Sequence, residues 1–156
     1  MRAMQVIAYD QPLVLRDVER PTPAQGEVVV RIDACGLNFA DTLLIKGTYQ
    51  EKPALPFAVG MELAGWVEDI GAGVSGLEVG QRVVAYNGFG GLADYVALPA
   101  EICTPIPDGM SSVDAAAFPI AYGTSHVALD DKARLQPGER LLVLGASGGV
   151  GLTAVE

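Results

Sequence analysis

The stretch LLVLGASGGVGLTAVE, Leu141 to Glu156, carries the reading on which the fold turns. Leu141–Leu144 is apolar without alternation, the pattern of a strand buried at the centre of a parallel sheet. Gly145, Gly148 and Gly151 follow three apart, and then a helix begins. Such a strand-to-helix turn lets backbone approach a pyrophosphate and aims a helix N-terminus at its charge. The candidate cradle is the backbone of Ala146, Ser147, Gly148, Gly149, Val150 and Gly151. A generic glycine-rich turn remains the alternative, because the ribose-binding residue about 20 positions on lies past Glu156. A parallel strand needs a crossover and a second strand. The chain is therefore expected to be truncated, with roughly 100–150 residues to follow, and residues 1–156 alone are expected to be inactive.

Upstream, MSSVDAAAFPIAYGTSHVALDDKA is alanine-rich, and Ser111-x-x-Asp114 reads as a capping box. Pro119 interrupts any single helix, which predicts two, about 112–118 and 121–133. Residues 1–110 read as β-rich. MQVIAYD, LVLRDVE, EVVVRIDACGLN, ELAGWVEDIG, QRVVAYNG and LADYVALP are strand candidates punctuated by glycine and proline. In EVVVRIDACGLN, Val28, Val30 and Ile32 repeat with period two. NFADTLLIKG predicts one short helix, with Asn38 at the cap and Gly47 as the stop. Many short strands favour a barrel or sandwich, so the fold class expected is a mainly β domain followed by the start of an α/β domain.

Half of the 156 residues are apolar, enough for a core, and 19 acidic against 10 basic side chains give a net charge of −9. That balance opposes nucleic acid and anionic membranes. No apolar run of ~18 residues or secretory signal appears, so a cytoplasmic protein is expected. Two cysteines, Cys35 and Cys103, and one histidine, His126, cannot build a zinc site of Cys and His. Both cysteines are read as buried reduced thiols, and Trp66 and Phe118 as core.

GLNFADTLLIKGTY, PFAVGMELAGWVEDIGAGVSGLEVGQRVVA and GASGGVG, in this order and spacing, resemble the zinc-independent quinone oxidoreductases, the ζ-crystallin-like branch of the medium-chain dehydrogenase/reductase superfamily. The resemblance rests on Gly60, Glu62, Gly65 and Val67, on Val79–Val83, and on the pair Asn38 and Asp41. It implies a GroES-like domain at 1–120 and, at 121–156, a linking helix and the beginning of a Rossmann domain. It further implies NADPH as hydride donor, an active site in the cleft between domains, a quinone or enone substrate, and a homodimer. Where zinc relatives carry ligands, this sequence has Asn38 and Met61, and the four-cysteine lobe is missing from VALPAEICTPIPDG.

The resemblance also assigns roles. Asn38 contacts the nicotinamide ribose or lies near the hydride; its alternative is a helix cap. Asp41 orients that neighbourhood, or is a solvated first-turn carboxylate. Tyr49 stacks on the quinone or donates its hydroxyl to the developing oxyanion, or is a surface aromatic. Thr124 faces the nicotinamide, or bonds a helix carbonyl. Glu62 is a minor candidate. His126 is set aside, because two positions from Thr124 it does not share that residue's helix face.

Without a metal, substrate choice follows from charge. Hydride addition to a simple ketone leaves an alkoxide, with a conjugate acid near that of water at ~15.7, whereas a quinone leaves a phenolate near ~10. The gap of roughly 6 units, about 8 kcal/mol, disfavours ketones where no Lewis acid acts. An enone or 2-enoyl-thioester reductase on the same scaffold, or a non-catalytic binding protein, are the competing readings.

Overall fold

The strand candidates of the first 110 residues form two antiparallel sheets in the computed structural model, which describes residues Met1–Glu156. The elements are β1 (Arg2–Val6), β2 (Val14–Asp17), β3 (Glu27–Gly36), α1 (Phe39–Lys46), β4 (Phe57–Ala58), β5 (Glu62–Ile70), β6 (Arg82–Tyr86), β7 (Tyr95–Pro99), β8 (Cys103–Pro105), α2 (Ser112–Ala116), α3 (Phe118–His126) and α4 (Gly149–Val155). One sheet has the order β2-β1-β4 and the other β7-β3-β5-β6-β8. An Ala3–Ala93 bridge links them, so the expected barrel appears as two joined sheets rather than a closed ring. The chain divides into two compact units, Met1–Ala117 and Phe118–Glu156.

The first unit is built on β3 and β5. Val28, Val30, Leu63, Val67 and Leu98 form one cluster, with Ile32 packed against it. The period of two therefore holds, but Val29 is just as buried, because these strands are covered on both faces. Ala64, on the other face of β5, packs with Ala115 and Ala116 of α2. The β3–β5 register slips beside Ile32, and there a Cβ on Gly65 would lie 2.0 Å from the Arg31 carbonyl oxygen. Only glycine allows strands that close at such an irregularity.

α1 begins at Asn38, in extended backbone, and ends at Gly47 with φ +66°, whose N–H closes onto Leu43 and Leu44. Its limits are those the sequence predicts, a polar cap and a left-handed glycine stop. The Ser111 hydroxyl likewise caps α2 by accepting from the Asp114 N–H at 3.1 Å.

Downstream the structure follows the sequence reading in its helices and departs from it at the last strand. The two helices expected at about 112–118 and 121–133 are present: α2 stops at Ala116, and α3 starts at Phe118, with Pro119 in its first turn, and continues as a π-helix over Val127–Lys132. Proline has no N–H to lose there, so the break between the two helices falls just before it, at Ala117. Leu141–Leu144, expected as a buried strand, pairs with nothing, and Leu142 and Leu144 are 81% and 85% exposed. A parallel strand has no ladder without a neighbour. Trp66 is half-buried and Phe118 exposed, not core: each keeps an edge outward, Trp66 donating to Asp33 at 2.6 Å and Phe118 stacking on Tyr122 at 4.6 Å.

Leu63 is fully buried in the main cluster, while Leu15 on the edge strand β2 is 58% exposed. Leu63→Ala is expected to lower unfolding free energy by about 2–5 kcal/mol, and Leu15→Ala by roughly 0.5 kcal/mol or less, as read from denaturant midpoints at constant m-value.

Candidate functional site

β3 and β6 end, and β5 begins, at one end of the larger sheet, where Gly36 pairs with Glu62 and Glu62 with Tyr86. The chain leaves β3 through Leu37 and enters α1 at Asn38, so the helix N-terminus lies against this row. Asp41, in the first turn of α1, is 5% exposed. Its carboxylate accepts from the Asn38 N–H at 2.8 Å and from the Gly60 N–H at 3.1 Å. It is thus a buried bridge between the helix start and the loop before β5, not the solvated first-turn carboxylate of the alternative reading.

Glu62, 2% exposed, accepts from the Asn38 side-chain amide at 2.8 Å. A carboxylate can only accept, so Nδ2 must face it, which fixes the orientation of the Asn38 amide. The amide keeps a second N–H. Gly36 makes room: a Cβ there would stand 2.4 Å from Glu62 Oε1 and 2.5 Å from the Ala116 carbonyl.

Cys35 lies behind this row, half-buried. Cβ atoms on Gly60 and Gly91 would come within 2.5 and 2.7 Å of its sulfur. Burial, and then the charges of Asp41 and Glu62, push its thiol up to about 12. Cys103 is buried and pushed to about 11 by burial alone.

Tyr49 follows α1, its N–H turned back to Leu43 at 3.3 Å, and is half-buried. Tyr86, the last residue of β6, is 47% exposed. Burial, followed by Tyr49, Glu51 and Glu62, raises the Tyr86 hydroxyl above the usual tyrosine value. The structure thus brings Asn38, Asp41, Glu62 and Tyr86 to one end of the sheet. Sequence reasoning passed over Tyr86 and gave Glu62 a minor part. Their pairing is a matter of register between strands, and only the outward phase of Tyr86 opposite buried Val83 and Ala85 hinted at it.

In the second unit, Thr124 is exposed, and it is its neighbour Ser125 that packs inward. The Ser125 hydroxyl bonds the Val150 carbonyl at 2.8 Å and Thr153 at 2.7 Å, joining α3 to α4. The glycine turn has the geometry its spacing suggests. Gly145 takes φ +77°, and a Cβ on Gly151 would lie 2.1 Å from the Gly145 carbonyl oxygen. Ala146, Ser147, Gly148, Gly149 and Val150 are exposed around it. No three His, Cys, Asp or Glu side chains come together as a set that could hold a metal ion, and no helix is long and apolar enough to cross a membrane.

Residues 24–108 match the alcohol dehydrogenase GroES-like domain family. The chain is 42% identical over 155 residues to quinone oxidoreductase-like protein 2 of Rattus norvegicus, covering 99% of this chain and 44% of that protein. The crystal structure of the human synaptic vesicle membrane protein VAT-1 homolog-like protein superposes with a TM-score of 0.95 at 38% identity, over 99% of this chain and 50% of that one. The quinone oxidoreductase of Thermus thermophilus, solved also as a complex with NADPH, gives 0.88 at 41% identity, over 99% and 48%. The chain spans about half the length of these relatives.

The raised thiols set a pH dependence. The unfolded chain sheds the Cys35 proton near 9, whereas the folded chain keeps it until about 12. This contribution is complete below pH ~9 and is lost as pH rises toward 12. Denaturant titrations between about pH 8 and 11 are expected to show a shallower fall in stability for Cys35→Ala than for the unaltered chain, and iodoacetamide at about pH 8 is expected to label neither cysteine until the protein is unfolded.

Proposed function

Because the chain belongs to the alcohol dehydrogenase GroES-like domain family, among the quinone oxidoreductases of the medium-chain dehydrogenase/reductase superfamily, we propose that it forms the substrate side of an NADPH-dependent quinone reductase that works without zinc. One observation carries this reading. Asn38 and Glu62 are hydrogen-bonded directly to each other at 2.8 Å. Asn38, tied to Glu62, offers an amide, and Met61, fully buried, offers only a thioether, both poor ligands for zinc.

The turn at Gly145–Gly151 fits a pyrophosphate, since its one crowded point already excludes a Cβ and its outer residues are open to solvent. Ala146 through Gly151 are the residues proposed to hold the cofactor phosphates. NADPH, when bound, supplies the hydride. The remaining tasks fall to this chain. Asp41 fixes the backbone of Asn38, and Glu62 fixes its side chain, so that the remaining amide N–H is preset toward the cofactor or acceptor. Tyr49 supplies a neutral hydroxyl donor to the oxygen on which charge develops. Thr124, exposed on α3, is proposed to face the nicotinamide in the whole enzyme. The proposal extends to a homodimer, a cytoplasmic location and a Rossmann domain begun by residues 121–156.

A quinone is the acceptor this donor set serves, because a hydroxyl suffices for a phenolate-like oxygen but falls short for an alkoxide by about 8 kcal/mol. NADPH oxidation by the longest natural polypeptide carrying these residues is expected with 1,4-benzoquinone and not with cyclohexanone. Turnover of a 2-enoyl thioester in place of the quinone would move the assignment to the activated-alkene reductases. Absence of NADPH binding in a fluorescence titration would leave a non-catalytic role. Residues 1–156 alone are expected to oxidise no NADPH.

A further inference from the structure

Tyr49, the proposed hydroxyl donor, stands on a loop rather than on a strand or helix, so its place depends on what holds that loop. The loop runs from Gly47, where α1 ends, to Phe57, where β4 begins. Its first turn is closed by the Thr48 and Tyr49 N–H groups, which donate to the Leu43 carbonyl at 3.0 and 3.3 Å. From Gln50 to Pro56 the backbone has one hydrogen bond: the Pro53 carbonyl accepts from the Tyr9 hydroxyl at 3.3 Å. Tyr9 is half-buried in the connection between β1 and β2, 44 positions away in sequence. Its ring covers the other end of the same loop, since a Cβ on Gly47 would stand 2.7 Å from Tyr9 Cγ. The neighbouring Asp10 takes φ +57°, uncommon for a residue with a side chain. From there its N–H reaches the Ile45 carbonyl at 2.9 Å and ties the same connection to the last turn of α1. In midspan the loop approaches β6: a Cβ on Gly88, two residues past Tyr86, would lie 3.4 Å from Glu51 Oε2.

We propose that Tyr9 is a positioning residue for the quinone reaction: it clamps both ends of the Gly47–Pro53 segment and so sets where the Tyr49 hydroxyl stands. The inference rests on the quinone reductase reading above. The two contacts divide the work. The ring, pressed on Gly47, fixes where the loop leaves α1, and the hydroxyl, donating to Pro53, fixes where it returns. Without the clamp, the residues between have no backbone hydrogen bond to select one conformation, and ordering them falls to the moment of acceptor binding. With it, that entropy is lost on folding, and the Tyr49 donor is set in advance. The Asn38–Asp41–Glu62 cluster is tied separately, through the Asp41 carboxylate to the Gly60 N–H. Loosening the loop therefore leaves the cluster in place, and the effect of Tyr9 passes through Tyr49.

The test uses the longest natural polypeptide carrying these residues, with Tyr9→Phe, Tyr9→Ala, Tyr49→Phe and the double variant Tyr9→Phe with Tyr49→Phe, each checked for folding by circular dichroism. With 1,4-benzoquinone, Tyr9→Phe, which keeps the ring, is expected to lower kcat about threefold and Tyr9→Ala about tenfold, with KM for NADPH within about twofold. In the Tyr49→Phe background, Tyr9→Phe is expected to cost nothing further, because an absent hydroxyl cannot be misplaced. A loss of the same size in both backgrounds, the mark of a merely structural role, would overturn the proposal, as would an unchanged kcat in Tyr9→Ala. A second readout needs no turnover. Cleavage by a glutamyl endopeptidase after Glu51, exposed in the loop, is expected to quicken about fivefold in Tyr9→Phe, with cleavage after Glu78, exposed in a turn that Tyr9 does not hold, unchanged. Equal rates after Glu51 in the two proteins would show that Tyr9 does not hold the loop. If no quinone is reduced by the unaltered protein, the functional reading fails on its own, while cleavage after Glu51 still decides whether the clamp exists.

Discussion

One buried carboxylate organises the candidate site. Asp41 reaches backward to the Asn38 N–H and sideways to the Gly60 N–H, so the start of α1 and the loop before β5 share a single acceptor. Each contact satisfies a backbone donor that burial would otherwise leave unpaired, at a cost of about 1–3 kcal/mol apiece. Everything else near the site is positioned by this tie. With α1 docked against the loop, the Asn38 side chain meets Glu62. With Gly60 held, Gly91 follows it, donating to the Gly60 carbonyl at 2.8 Å, and the Cys35 sulfur is enclosed.

The same tie explains why glycines concentrate where they do. Gly36 yields its side-chain volume to the Glu62 carboxylate, and Gly60 and Gly91 yield theirs to a sulfur atom. These are demands of close approach. Gly145 answers a separate demand, for left-handed backbone at a turn, while Gly60 and Gly47 answer both, with φ of +97° and +66° beside Cys35 and Tyr9. Both kinds appear in the sequence as the same letter, which is why a motif of spaced glycines marks a tight place without saying what crowds it.

Local order was legible in the sequence, and pairing across distance was not. Asn38 and Gly47 delimit α1, and Ser111 and Asp114 cap α2, because each of those signals acts within a few residues of itself. The strands from β1 to β7 were legible for the same reason, apart from the two-residue β4. The contact between Asn38 and Glu62 spans 24 positions, and the neighbour of Glu62 across the ladder, Tyr86, is set by the β5–β6 register. Neither has a local signature. The inward turn of Ser125, which bonds the Val150 carbonyl, had no local signal either. Leu141–Leu144 has a strand's composition but no partner to make it one.

The enclosed sulfur has a chemical meaning on the proposed function. Quinones are electrophiles that arylate thiolates, so a cysteine one strand position from the substrate-side cluster is a standing risk of inactivation by the enzyme's own substrate. Cys35 is guarded twice. Its proton is held to about 12, which starves the reaction of thiolate, and two glycine backbones press against the sulfur from which attack would come. Burial first, and then the same carboxylates that steady Asn38, keep the nearest nucleophile silent.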